Sequence, residues 1–158
     1  MEETHMTNVE IIINGKRVST WDTGFERVSE GEVYFSQNNG EFAELTEKNL
    51  NTDRTAYENA NYYSDRQLAE WCIRNDTLNR KMRRWAAENN LSLNWNDSDE
   101  EKWMIYYDFK RRSVEYGMVS DSLSLNEVYF CGIPEAEAAI KEFGDEIEWL
   151  AQNRPKWF

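Results

Sequence analysis

Ser64-Asp65-Arg66-Gln67 opens the longest regular pattern in the chain. Ser64 with Gln67 three residues on has the form of a capping box, and Tyr63 and Leu68 stand at the positions of a hydrophobic staple. Leu68, Trp71, Cys72, Leu78, Met82, Trp85 and Ala86 then recur mostly at spacings of three and four. That period predicts one amphipathic helix from about Asp65 to Asn89. Its apolar stripe has to be buried against another element, so the rest of the chain must supply a face for it.

Both flanks read as strands. Val9 to Ile13 is apolar and β-branched, Asn14-Gly15 is a preferred two-residue hairpin turn, and Lys16 to Trp21 reads as the return. A second hairpin is predicted about Asn38-Asn39-Gly40, pairing Val33-Tyr34-Phe35 with Phe42 to Leu45. Residues 49–61 are polar and read as a loop. Beyond the helix, Trp103, Ile105, Tyr107 and Phe109 alternate with Met104, Tyr106 and Asp108, the period of a strand. Lys110-Arg111-Arg112 reads as its turn, Val114 to Met118 as the return and Val128-Tyr129-Phe130 as a third strand. Pro134 suits the first position of a closing helix, whose buried stripe is Ala136, Ala139, Ile140, Phe143, Ile147 and Leu150. The expectation is a single α+β domain over residues 1–158, with 1–7 flexible. It is an antiparallel sheet of hairpins and a meander, packed by one long central helix and a C-terminal helix. Glu32-Val33-Tyr34-Phe35 and Glu127-Val128-Tyr129-Phe130 are the same tetrapeptide, which reflects the shared demands of half-buried strands more than a repeat.

The surface is acidic. Thirty Asp and Glu stand against 18 Lys and Arg, a formal charge of −12, which repels nucleic acid and anionic lipid and attracts basic partners. Aromatic residues make up 14%, enough apolar bulk for a folded core. No apolar run approaches the roughly 18 residues of a membrane span. The acidic start, Met1-Glu2-Glu3-Thr4-His5, lacks the apolar stretch of a signal peptide, and Met6 is an alternative start. Cys72 and Cys131 read as reduced thiols, and the expected compartment is the cytoplasm.

Catalytic patterns are missing. The only histidine is His5, and a histidine-based triad or zinc site needs that ring held rigidly. Two separate cysteines cannot make an all-cysteine zinc site. Asp97-Ser98-Asp99-Glu100-Glu101 invites a calcium reading, but Lys102 and Asp108 fall where an EF-hand needs Gly and Glu. No phosphate-cradling glycine motif is present. The expectation is a protein with no enzymatic activity, no metal and no cofactor.

Two acidic groups are the candidate partner-binding residues: Asp97, Asp99, Glu100 and Glu101 before the strand, and Glu135, Glu137, Glu142, Asp145, Glu146 and Glu148 on the last helix. Two basic clusters are the alternative, as nucleic-acid contacts: Arg80, Lys81, Arg83 and Arg84 in the last turns of the long helix, and Lys110, Arg111 and Arg112 in the turn. Cations near a helix C-terminus also complement its dipole without any ligand. Tyr57, Tyr62 and Tyr63 are stacking candidates, with packing as their simpler use.

Val33-Tyr34-Phe35-Ser36-Gln37, then Asn61-Tyr62-Tyr63-Ser64 leading into the helix, Trp103-Met104-Ile105-Tyr106-Tyr107-Asp108, Val128-Tyr129-Phe130, and the closing Ala138 to Glu146 occur in that order. Taken together, they resemble a group of small hypothetical proteins encoded by phages and prophages of Gram-positive bacteria. The resemblance covers nearly the whole chain and rests on structural motifs, so it carries over no functional residue. It implies an accessory protein made inside a bacterial cell. Its expected role is inhibition of a host nucleic-acid-handling defence complex such as a CRISPR effector, in the manner of anti-CRISPR proteins and DNA mimics. Carboxylates on a rigid surface would take the place of phosphates in a channel lined by Lys and Arg. A nucleic-acid-binding module and a phage structural or assembly protein are the other two readings.

Overall fold

The computed structural model describes residues 11–13, 16–18, 23–90, 93–97, 99–119 and 127–156, with side chains from Thr23 onward. Segment 1–7 with His5, and the Asn14-Gly15 turn, lie outside the described residues. The elements run β1 (Ile11–Ile13), β2 (Lys16–Val18), β3 (Val33–Asn38), β4 (Glu41–Thr46), α1 (Asn51–Glu58), α2 (Arg66–Asn89), β5 (Lys102–Asp108), β6 (Ser113–Val119), β7 (Tyr129–Phe130) and α3 (Ile133–Gln152). This is the expected α+β class, with a long helix and a C-terminal helix. The chain groups into two compact units: one holds its described residues up to 38 and 42–69, the other holds 39–41 and 70–156.

In the first unit β1 pairs antiparallel with β2, Ile11 opposite Val18 and Ile13 opposite Lys16. β3 pairs with β4 through Asn39 and Gly40, both at positive φ (51° and 89°), the geometry Asn-Gly adopts most readily. The segment before α2 bridges β3: Phe35 N–H donates to the Tyr63 carbonyl at 2.8 Å and Tyr63 N–H returns to Phe35 at 2.9 Å. Asn61 extends this bridge with its side chain, accepting from Gln37 N–H at 2.8 Å and donating to the Gln37 carbonyl at 2.9 Å. Gly24 has no alternative residue. Its φ is +78°, and a Cβ there would lie 2.7 Å from Leu68 Cδ2 and 2.8 Å from Asp65 Cβ.

Two sequence expectations shift here. Residues 49–61 contain α1, a helix with no apolar stripe for periodicity to find. A hydrogen bond to Asp53 from the Leu50 N–H (2.9 Å) holds its first turn, and the Lys48 N–H adds a second at 3.0 Å. The cap of α2 is Asp65, one residue later than Ser64. Asp65 Oδ1 accepts the Leu68 N–H at 2.7 Å, while the Ser64 hydroxyl turns to Glu26 at 3.4 Å. Asp65 stands three residues before Leu68, the spacing at which a cap side chain reaches a first-turn N–H, and Ser64 stands one residue too far back.

In the second unit β5 is the central strand of a three-stranded sheet ordered β6-β5-β7. Lys102 to Asp108 pair with Val119 to Ser113, and on the other side Trp103 and Met104 face Phe130 and Tyr129. The third strand therefore lies beside β5 rather than continuing a meander past β6. Leu78, Met82 and Ala86 of α2, Val128 and Phe130, and Ala136, Ala139 and Leu150 of α3 form the core. Trp71, Trp85, Trp103, Ile105, Phe143 and Ile147 pack around it. Trp71 donates its indole N–H to the Leu150 carbonyl at 2.8 Å, tying α2 to the end of α3. Pro134 is the second helical residue, after Gly132 as N-cap. The twin tetrapeptides are used differently. Val33 is 42% exposed while Val128 is 8%, so the same letters present different faces. Cys72 and Cys131 are both half-buried, and neither is in a disulfide among the described residues.

Candidate functional site

The acidic run at 97–101 is folded over a cation from its own chain. Lys102, the first residue of β5, is 1% exposed. Its ammonium donates to the carbonyls of Asp97 at 3.1 Å and Glu100 at 2.9 Å, lies 3.8 Å from the Glu100 carboxylate, and sits 5.3 Å from the centre of the Trp95 ring. Trp95 meets Tyr129 edge-on at 5.0 Å, which fixes this loop against β7. Asp97 Oδ1 accepts the Asp99 N–H at 2.9 Å, a local Asx turn. The lysine ammonium thus takes up two backbone carbonyls of the acidic run. Among the described residues, no group of three or more His, Cys, Asp or Glu is placed to hold a metal ion. Asp97, Asp99 and Glu101 keep their carboxylates exposed, and Glu100 is half-buried.

The helix acids divide by position on α3. Glu135, Glu142 and Glu146 recur at helical spacing and share one flank. Glu146 is committed there, accepting both Nε and a terminal amino group of Arg74 at 2.8 and 2.9 Å, while Arg74 also stacks on Trp149 at 3.6 Å. This bidentate bond raises the Arg74 pKa, so the guanidinium stays charged. Glu137 and Glu148 lie on the other flank. Glu137 accepts the Tyr116 hydroxyl at 3.2 Å, and Glu148 accepts Gln152 at 2.8 Å. Burial, then the bond to Glu137, pushes the Tyr116 phenol up. Asp145, with Glu142, faces solvent. The six acids therefore do not form one stripe. The loop packs on β7 through Trp95 and Tyr129, and β7 leads through Cys131 and Gly132 into α3.

The basic clusters lie on separate elements. Arg80, Lys81, Arg83 and Arg84 are all exposed on α2, but the last turn of that helix contains no basic residue. A helix-dipole account of the cluster fails on that point, because the effect fades beyond the final turn. Thr77, Arg80, Lys81 and Arg84 recur on one face of α2. Among the described residues Arg80, Lys81 and Arg84 are in no ion pair. Lys110, Arg111 and Arg112 form the β5–β6 turn, shaped by Asp108, whose Oδ1 accepts the N–H groups of Lys110 (2.8 Å) and Arg111 (3.0 Å). Those bonds, the Arg111 one foremost, hold the Asp108 carboxyl below its usual range. Arg112 sits at φ 57°.

A polar cluster in the first unit went unnoticed in the sequence. Glu47 is 2% exposed and accepts both Nε (3.1 Å) and a terminal amino group (2.9 Å) of Arg27, the Tyr62 hydroxyl (2.9 Å) and the Asn49 N–H (2.7 Å). Asp53, 5% exposed, accepts the Tyr34 hydroxyl at 2.9 Å beside the two backbone bonds at the start of α1. The Arg27 bond is the main reason Glu47 is held below the ordinary carboxylate range, and the Leu50 N–H does the same for Asp53. Burial, then the carboxylate each phenol donates to, raises both tyrosines, Tyr62 to about 12. Glu47 accepts four hydrogen bonds and Asp53 three, which suits a framework better than proton transfer. Tyr34 and Asp53 also line an open cleft of about 470 Å³ with Ser36, Leu45, Lys48 and Leu50. Tyr57, 43% exposed, meets Tyr62 edge-on at 5.6 Å, and Tyr63 is 7% exposed against Phe25 at 5.4 Å, so Tyr62 and Tyr63 are buried in packing and Tyr57 is not. Sequence offered one clue to the cluster, Asp53 three residues beyond Leu50. Glu47 and Tyr62 are brought together only by the fold.

No helix among the described residues is long and apolar enough to cross a membrane. No family model, no curated protein and no solved structure matches this chain.

Proposed function

We propose that this chain acts by binding, without catalysis, and that it meets a basic protein surface with carboxylates of its second unit. The observation that supports this reading is the state of the acids. Asp97, Asp99, Glu101, Glu137, Glu142 and Asp145 are exposed, and none is in an ion pair among the described residues. Neutralised acids would offer a partner nothing. Exposed ones on the loop leading into β5 and on a 20-residue helix form a negative field that speeds association with a cationic channel. The partner proposed is a host nucleic-acid-handling defence complex of the CRISPR-effector kind, in the cytoplasm of a bacterium carrying a phage or prophage. That part rests on the sequence resemblance alone.

The test is competition. The protein should displace DNA or RNA from the captured partner, and rising salt should weaken it. Each exposed pair is worth about 0–1 kcal/mol, so single charge reversals should change little. Reversing Asp97, Asp99, Glu101, Glu142 and Asp145 together should slow association and flatten its salt dependence. A partner that binds no nucleic acid, or full binding by the five-fold variant, would overturn the reading. The outward basic face of α2 supports a second one, direct contact with nucleic acid. There the same assay would show tight binding to bare nucleic acid, lost on reversing Arg80, Lys81 and Arg84.

A further inference from the structure

Among the described residues, the core of the second unit borders an open cleft. Trp71, Leu78, Met82, Ile105, Ile147 and Leu150 line a cleft of about 230 Å³. Its polar lining is Asn75, Asn79, Tyr107, Glu127 and Arg154. Arg154 and Glu127 are exposed and the other three half-buried, so the charged pair marks where the cleft meets solvent. Glu127 already has a use, accepting the Tyr129 hydroxyl at 3.1 Å. Arg154 lies over the Phe109 ring at 5.0 Å. A cation–π contact at this distance uses none of the carboxylate-bonding capacity of the guanidinium. In a chain with 30 acidic residues, Arg154 has no carboxylate partner among the described residues. The Tyr107 hydroxyl has no hydrogen bond there either, and Asn79 reaches Asn75 only at 3.5 Å.

We propose that this cleft is a binding site for a small monocarboxylic acid, its single ring or short chain lying on the apolar wall and its carboxylate on the Arg154 fork. The chemistry follows from the lining. An apolar floor with a few convergent polar groups is the usual form of a small-molecule site. Its volume falls below the roughly 300–1,000 Å³ of larger ligands, which limits the body to one ring or a short chain. Tyr107 and the two asparagines can each donate, and Arg154, the one cation in the lining, only donates, so an anionic acceptor head fits, and a planar guanidinium matches a carboxylate in two parallel bonds. Glu127 at the same opening disfavours a second negative charge, which makes a monoacid the better fit than a diacid or a phosphate.

The experiment follows the Met82 methyl resonance by NMR while octanoate, or octan-1-ol as its uncharged counterpart, is added to the full chain, with the resonance assigned through Met82→Leu. Octanoate should move the Met82 signal saturably, and octan-1-ol should bind about tenfold more weakly. Arg154→Gln, an exposed substitution, should reduce octanoate to the level of octan-1-ol and leave octan-1-ol unchanged. Ala151 also lines the cleft, and Ala151→Phe, which fills it, should abolish both. An unmoved Met82 signal at millimolar octanoate, equal binding of acid and alcohol, or undiminished binding by Ala151→Phe would each overturn the proposal. None of these outcomes depends on the acidic surface or its partner.

Discussion

Tyr34 and Tyr62 lie face to face, ring centroids 4.0 Å apart and planes 9° from parallel, and each hydroxyl is donated to a different buried carboxylate. The stack joins β3 to the segment leading into α2, and the two carboxylates join it to the chain around α1. One pair of rings thus ties together the parts of the first unit that lack an apolar stripe. Its polar ends have to be satisfied in place, because a buried acceptor deprived of its donor keeps the full cost of desolvation.

Tyr62→Phe is expected to destabilise the protein by about 1–3 kcal/mol, since the ring stack survives while Glu47 loses a donor. Urea denaturation checks it. An unchanged midpoint would mean that water replaces the hydroxyl at no cost.

Acid and alkali should each weaken the first unit. Glu47 and Asp53 titrate below their ordinary values when folded, so the stability they bring is present above about pH 4 and is lost as pH falls through the folded values. Tyr34 and Tyr62 titrate above the usual phenol, so their contribution is complete below about pH 10. The Tyr62 share is lost as pH rises through about 12. Thermal melts across pH should show a plateau between these limits. Glu47→Gln should start from a lower plateau and lose less on acidification; an acid limb as steep as in the parent chain would contradict the assignment.

Lys102→Ala should release the acidic loop. It leaves the carbonyls of Asp97 and Glu100 without their charged donor, a loss of about 1.5–3 kcal/mol per bond if nothing replaces it. Faster amide hydrogen exchange at Asp97 and Asp99, with β6 protection retained, is the expected outcome. Unaltered exchange would show that Trp95 on Tyr129 holds the loop alone.

Phe130→Ala should cost about 3–5 kcal/mol, because its ring is fully buried between Trp85 and the start of α3. Trp71→Ala should cost less than Phe130→Ala. Trp71 is half-buried beside an open cleft, although the sequence pattern places it in the apolar stripe. Calorimetric melts rank the two, and the reverse order would overturn this reading of the core.

Local chemistry was legible in the residue order. Helical spacing located α2 and α3, alternation located β5 and β6, and Asn39-Gly40 located the second hairpin, because each is set by forces acting over a few residues. The α+β class followed from their order. Three features were beyond that range. Helix α1 is stabilised by hydrogen bonds to one buried carboxylate, and no period records such bonds. The place of β7 beside β5 depends on which side of β5 the chain returns to, a choice between distant residues. Glu47 is also one acid among thirty in the sequence, and only the approach of Arg27 and Tyr62 makes it a buried ion with all its lone pairs occupied. Net charge and the number of acids belong to the sequence. Which carboxylates face solvent, and which are consumed by Arg74, Lys102 or Arg27, is decided by tertiary structure, because neutralising a charge requires a partner within a few ångströms and chain order does not fix that distance.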